Sequence, residues 1–489
     1  MLEQATRIAG PLPNGTAQPA AALQTLTELA SLYRSSSIRA RMAEFIGVPE
    51  MAGCDPHISP AAYITASDGA VDSPEPASLD RLADYLACDK EIDRSLWDRD
   101  SLIADIDLEY DNFDDPTAAW ENPERAFRLQ QPVLDATLRI LGDAGIDPLT
   151  LVSGRGFHLV WSIPRDSRAF RRLACLGRVP AGLAARYTWA RSPSGFRIDN
   201  RLGRAFAGFG QWMEFLFQRV FEASRKTCEV PLQPAAIEVG PGAYGREIVS
   251  FDLSEYGDPL HNRHIRLPFS YYLKPRRFEW KLGAPGVDRL MPIFEVPLDG
   301  MTPEQAIKVA RDPKEVLALA QRTYMRIPDA RASMENLLDE YEDSKLAAFH
   351  KRFNQELPDK LDLPAGVVPP DVPCLRWTLD HANDWLLKPA ALQHVTRVLS
   401  ALNWSAPSIA QLVSAYYLRG CDWGDTWARL EPSSRALFYA RLFAGMIATG
   451  TDELIDMNCV SHQEKGYCAV PDCRYNLVEL RGLLLGRQN

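Results

Sequence analysis

After the apolar run Leu102-Ile103-Ala104, the segment LIADIDLEY (102–110) alternates apolar and polar positions, which predicts a strand. AFRLQQPVLDATLRILGDAG (126–145) has helical spacing and a stop at Gly145, and GFHLVWSIP (156–164) predicts another strand. IRLPFSYYLK (265–274) predicts a last, partly buried strand. Upstream, AALQTLTELASLYRSSSIRARMAEFIG (21–47) and SLDRLADYLACDK (78–90) predict helices, joined by the Pro/Ser/Gly-bearing loop ISPAAYITASDGAVDSPEPAS. Downstream, 301–325 and 332–353 are helical and charged, and LQHVTRVLSALNWSAPSIAQLVSAYYLRG has the spacing of two amphipathic helices.

This pattern predicts an α+β protein in four parts. They are a helical N-terminal extension (1–95), a catalytic domain of mixed strands and helices (96–285), a helical connector with a Pro-rich linker (286–373) and an all-α cysteine-bearing domain (374–489). Pro358 through Pro373 is the clearest linker, and no internal repeat is present.

Candidate chemistry concentrates in the second part. Alternation along the first strand sends Asp105 and Asp107 to one face. Two adjacent carboxylates repel unless a cation lies between them, and hard oxygen ligands suit Mg²⁺ or Mn²⁺. A third carboxylate, Asp252, from a later strand would complete a two-metal site for phosphoryl or nucleotidyl transfer. Between them lies Ser153-Gly154-Arg155-Gly156-Phe157-His158. Glycine N–H groups there can approach phosphate, and Ser153 and Arg155 can donate to its oxygens.

In that order the motifs resemble the archaeo-eukaryotic primase superfamily, over roughly residues 100–280. The family segment R-x-I-R-x-P-x-S-x-x-x-K has its counterpart in Arg263, Ile265, Arg266, Pro268, Ser270 and Lys274. The resemblance implies a DNA-dependent primase-polymerase that makes primers on single-stranded DNA from NTPs or dNTPs. His158 would then donate to the triphosphate. On a strand, Arg266, Ser270 and Lys274 share a face and are the better phosphate contacts, while Arg263 points oppositely, toward template phosphate or solvent. Two other functions stay open: a primer-dependent gap-filling or repair polymerase, and a non-catalytic replication-initiation or scaffold protein with a relic site. Family small subunits often carry a zinc knuckle between the second and third motifs. Here that interval holds only Cys175 and Cys228, so no knuckle is evident.

Net charge is −10, which by itself disfavours a nucleic-acid partner, but the distribution is uneven. Between Arg165 and Arg204 ten arginines stand against two acids, Asp166 and Asp199, so a basic surface beside the site is expected. No apolar stretch reaches the ~20 residues of a membrane span, and the N-terminus lacks the order of a signal peptide. A cytoplasmic protein of bacterial or mobile-element origin is expected. No G-x4-G-K-[ST] motif is present, so unwinding would fall to a separate helicase.

Cys459, Cys468 and Cys473 cluster in MNCVSHQEKGYCAVPDC, with His462 among them. A local set of these four gives C-x2-H-x5-C-x4-C, an acceptable zinc spacing. Taking instead Cys374, which follows the Pro-rich VVPPDVP, gives an order that resembles the iron–sulfur domain of the primase large subunit. That resemblance implies a [4Fe–4S] cluster on Cys374, Cys459, Cys468 and Cys473, with His462 a surface histidine. In the two-subunit relatives these regions lie on separate chains. Here one chain carries both, as in the single-polypeptide enzymes of plasmids, phages and defence loci.

Overall fold

The computed structural model describes residues 32–49, 59–69, 75–189, 197–238, 246–257, 264–358, 361–381, 385–419, 431–470 and 472–488. The fold is α+β, with two sheets and a larger helical share. One connected apolar core runs from Leu32 to Leu484.

The strands in chain order are β1 (Ile64–Ser67), β2 (Glu91–Ser95), β3 (Ser101–Asn112), β4 (Leu149–Val152), β5 (Gly156–Pro164), β6 (Leu232–Gln233), β7 (Glu247–Phe251), β8 (His264–Arg266) and β9 (Val296–Pro297). The six-stranded sheet has the order β6-β7-β3-β5-β4-β9, so the acid-bearing β3 is central, with antiparallel partners on both sides. Among the described strands, only β6 and β7 pair in parallel.

One face of this sheet is apolar. Ile106 and Leu108 on β3 stand beside Leu159 and Phe157 on β5. Two long helices cover that face, α1 (Pro123–Asp143) and α2 (Asn200–Ser224). Phe127 of α1 meets Phe157 edge-on at 5.1 Å, and Phe209 and Trp212 of α2 meet Trp161 at 6.2 and 6.3 Å. Helix α1 opens on an Asn122 cap and a first-turn proline, and Gly145 just beyond its end takes a φ of 82°, which only glycine adopts cheaply.

Two expected elements differ. The N-terminal extension is not purely helical. It includes Ser36–Ile46, but Ile64–Ser67, expected in a loop, and Glu91–Ser95 are strands that form a three-stranded sheet, β1-β2-β8, with a strand of the catalytic region. Strands of four or five residues are too short to show a period, and that sheet is built only when β8 arrives. The segment 265–274 is not one strand. Its ladder stops at Arg266, because Pro268 has no N–H to donate and Phe269 turns the chain at a φ of 67°. Lys274–Phe278 is a 3₁₀ helix.

The C-terminal part is helical as expected: α3 (Pro373–Asp380), α4 (Pro389–Ala401), α5 (Ala406–Leu418), α6 (Pro432–Thr449), α7 (Cys459–Glu464) and α8 (Leu477–Gln488). Among the described residues no helix is long and apolar enough to cross a membrane.

Candidate functional site

The second face of the large sheet carries the acids. Pairing puts Asp107 opposite His158 on β5, and His158 opposite Leu151 on β4. On the other side β7 ends at Phe251, opposite Leu108, and the next N–H, that of Asp252, donates to the Asp107 carbonyl at 2.9 Å. His158, Asp107 and Asp252 thus lie in one row across three strands, with Asp105 one step along β3. The structure brings all three motifs together.

Asp105 is 1% exposed, and the His158 Nδ1 lies 3.2 Å from its Oδ2. The Tyr256 hydroxyl donates to the Asp105 carbonyl at 2.6 Å, which fixes this strand position from the far side. Burial, then the neighbouring Glu109 and the carboxylates of Asp105 and Asp252, hold the Asp107 pKa well above the usual carboxylate range, although His158 opposes them. Its Oδ1 is buried without a hydrogen-bond partner. Burial works against charge on His158, but Asp105 and Asp107 outweigh it and raise its pKa well above that of free histidine. That direction favours the imidazolium form in this site.

Glu109 and Asp111 continue the same face. The alternation that exposed Asp105 and Asp107 in the sequence runs on through both, so the signal for them was in plain sight. Arg155 reaches across to pair with Glu109 and, at 2.9 Å, with Asp111. Lys274 Nζ stands 3.6 Å from Glu109. Burial pushes the Glu109 pKa up, but Arg155 and Lys274 prevail and hold it at about 2. Five carboxylates (Asp105, Asp107, Glu109, Asp111, Asp252) meet Arg155, Lys274 and His158 here, so negative charge is in excess even with His158 protonated.

The 153–156 loop owes its glycines to packing. A Cβ on Gly154 would stand 2.4 Å from the Tyr272 ring, and one on Gly156 would stand 1.7 Å from the Leu108 carbonyl oxygen. Ser153 Oγ accepts from Gly156 N at 3.2 Å and closes the turn. Arg155 is held by two carboxylates rather than free to grip phosphate.

The remaining basic segment divides. Arg263 lies outside the described residues. Arg266 is held by Glu91 at 2.9 Å and Glu295 at 3.2 Å, with its guanidinium 4.5 Å over the Tyr272 ring. Ser270, expected to contact phosphate, is fully buried. Its Oγ accepts from Ile92 N at 2.8 Å and lies 3.2 Å from the Tyr33 hydroxyl. It is a structural residue because Phe269 turns it away from the strand face on which the expectation rested. Only Lys274 of this group reaches the acids. Glu295 went unforeseen, since nothing local marks it. Burial lifts its pKa to about 7 against the pull of His158 and Arg266, and one of its oxygens has no partner.

Neither protein-family models nor curated proteins provide a match to this sequence.

Three of the ten arginines of the expected basic surface are paired with acids. Arg165 pairs with Asp199, Arg168 with Glu335, and Arg172 with Asp339 and Glu342. The acids of Ser333–Glu342 are distant in sequence and arrive only on folding.

In the C-terminal part, the Cys374 thiol is pushed up to about 12 by burial and then by Cys468 and Cys473, so these three thiols are close enough to sense one another. Cys459 opens α7 and packs against the core. As arranged, no group of three or more His, Cys, Asp or Glu side chains among the described residues could hold a metal ion. Four thiols have the chemistry for a thiolate-bound metal, but as placed they do not form a ligand group, so the cysteines would have to close in around an ion. His462 is not at the surface. It is 3% exposed, its Nε2 lies 2.6 Å from His394 Nδ1, and its Nδ1 faces the Asn458 carbonyl at 3.0 Å. The charged neighbours in HQEKG hide this burial from the sequence. With both ring nitrogens engaged, His462 is a poor candidate for the local zinc set.

Proposed function

We propose that this chain is a DNA-dependent primase-polymerase that makes primers on single-stranded DNA by nucleotidyl transfer. The observation that carries the proposal is the Asp107 carboxylate, flanked by Asp105 and Asp252, buried and with an unpartnered oxygen. A protein keeps such a cluster at a cost in stability unless cations complete it. Bound Mg²⁺ or Mn²⁺ would activate the attacking hydroxyl and offset charge on the triphosphate. Asp105, Asp107 and Asp252 would hold the ions once their side chains turn toward a common point, since as arranged they do not form a ligand group. His158, oriented through Nδ1 by Asp105, offers Nε2–H to a phosphate oxygen, and Lys274 stands on the opposite flank of the acids. The decisive experiment incubates purified protein with labelled NTPs or dNTPs, Mn²⁺ or Mg²⁺, and single-stranded DNA with and without a primer. Products on the unprimed strand support primase. Products only on the primed strand shift the assignment to gap filling, and none on either leaves a scaffold.

His158→Ala should raise the nucleotide KM by ~10- to 100-fold, the worth of one charged hydrogen bond, and leave single-strand gel shifts unchanged. Equal loss of both would make His158 a packing residue.

For the thiols we propose a [4Fe–4S] cluster on Cys374, Cys459, Cys468 and Cys473, a set whose soft thiolates would also take zinc. Metal analysis of anaerobically purified protein should find iron, and Cys374→Ser should lose it together with the visible absorbance. Stoichiometric zinc retained in Cys374→Ser would move the site to the local set.

A further inference from the structure

Trp280 is 79% exposed, an unusual state for the largest apolar side chain. It sits in KPRRFEWK (274–281), where four cations stand against one acid in a chain of net charge −10. The segment is a 3₁₀ helix, Lys274–Phe278, that runs directly into a single helical turn, Glu279–Leu282.

This element is rigidly mounted. Phe278 packs on the buried Trp120 ring at 5.2 Å. Lys281 donates to Thr117 Oγ1 at 3.1 Å and pairs with Asp115. Arg277 Nε donates to the Gly69 carbonyl at 2.9 Å, and the Leu273 N–H to Glu91 at 2.6 Å. The exposed ring is thus held on a fixed base. Arg276, four residues earlier along the same element, is also exposed, with its Nη1 3.5 Å from the Asp68 carbonyl.

The element also adjoins the acidic site. Its first residue, Lys274, lies 3.6 Å from Glu109. Its far end grips Asp115, which lines a hollow of about 190 Å³ whose other walls include Asp111 and Arg155 of the acid face. Six residues at 3₁₀ and helical rise place Trp280 roughly 10 Å from Lys274.

We propose that Trp280 and Arg276 form a docking surface for the single-stranded DNA template, with Trp280 stacking on a base and Arg276 meeting a backbone phosphate. This rests on the primase-polymerase reading of the adjacent site. Positive charge along the element, an aromatic face with nothing on it and continuity with the acids together fit that occupant: single strands are bound by alternating stacking and phosphate contacts. Duplex would not fit as well, because its bases offer no free face.

The test measures anisotropy of a labelled oligothymidylate with the full-length protein, alongside incorporation on a primed template. Trp280→Ala should weaken binding by ~5- to 150-fold, the range for one stacked base, with the thermal unfolding midpoint unchanged because the ring is exposed. Trp280→Phe should recover most of the affinity. Arg276→Ala should reduce the slope of log affinity against log salt by ~0.7, the value for one phosphate on a single strand. Wild-type affinity in Trp280→Ala, or equal loss in Trp280→Ala and Trp280→Phe, overturns the proposal while leaving the catalytic reading intact if incorporation persists. Trp280-dependent binding without any incorporation does the reverse: the surface stands and the catalytic reading falls. A wild-type protein that does not bind oligothymidylate overturns the surface outright.

Discussion

Asp107→Ala should cut nucleotide incorporation by ~10³-fold or more, and Asp105→Ala should do the same. A metal clamp supplies several kcal/mol of transition-state stabilisation, and each ~1.4 kcal/mol is tenfold in rate. The two variants should differ in what else they lose. Asp107 has a buried oxygen without a partner and sits among like charges, so removing it relieves repulsion and should leave the fold as stable or slightly more so. Asp105 holds His158 Nδ1, so removing it frees the imidazolium from its orienting partner and should also raise the nucleotide KM. Rates in Mg²⁺ and Mn²⁺, together with thermal unfolding of each variant, check both halves. Wild-type incorporation by either variant would remove the acids from catalysis.

The sheet face bearing these acids was legible because a strand's two-residue period needs no partner to be read. The same alternation extended to Glu109 and Asp111, which complete the charge cluster with Arg155. What could not be read was pairing at a distance. Arg266 looked like a phosphate contact in isolation, yet Glu91 and Glu295, from β2 and from beside β9, hold it. Arg168 and Arg172 looked like part of a free basic surface, yet Ser333–Glu342 brings its acids against them. Gly154 and Gly156 looked like a phosphate cradle, and their lack of Cβ serves Tyr272 and the Leu108 carbonyl instead. In each case the residue type was read correctly as polar, charged or small, but the partner that uses it lies far along the chain, beyond any local pattern.

Arg441→Met should destabilise the protein by ~3–5 kcal/mol, the cost of breaking a buried ion pair by removing one partner. Arg441 lies on α6 of the C-terminal part, and its Nε and Nη2 donate to Glu214 Oε1 at 2.9 and 2.6 Å. Glu214 lies on α2, beneath the catalytic sheet, and its Oε2 is 2.9 Å from His350 Nε2 in the connector. The Tyr341 hydroxyl meets His350 Nδ1 at 2.8 Å. A carboxylate only accepts, so His350 carries its proton on Nε2 and takes the tyrosine hydroxyl on Nδ1. This knot ties catalytic region, connector and C-terminal helices together, and its loss should expose the Pro-rich stretch between Pro358 and Pro373 to faster protease cleavage. Acid should loosen it too. Burial lowers the His350 pKa despite Glu214, and Arg441 and His350 lower that of Glu214 despite its burial. In both groups the unfolded chain binds protons more readily than the folded one, so stability rises with pH. The His350 contribution is fully present above the unfolded value of ~6.5 and declines below it, and that of Glu214 declines below ~4.3. The unfolding midpoint should therefore fall in two stages on acidification. His350→Gln should shrink the stage that begins near ~6.5, to which the buried His394 and His462, their pKa values also lowered by burial, contribute as well, and keep the lower one. A midpoint profile in His350→Gln that falls as steeply as that of the wild type would leave His350 no part in the titration.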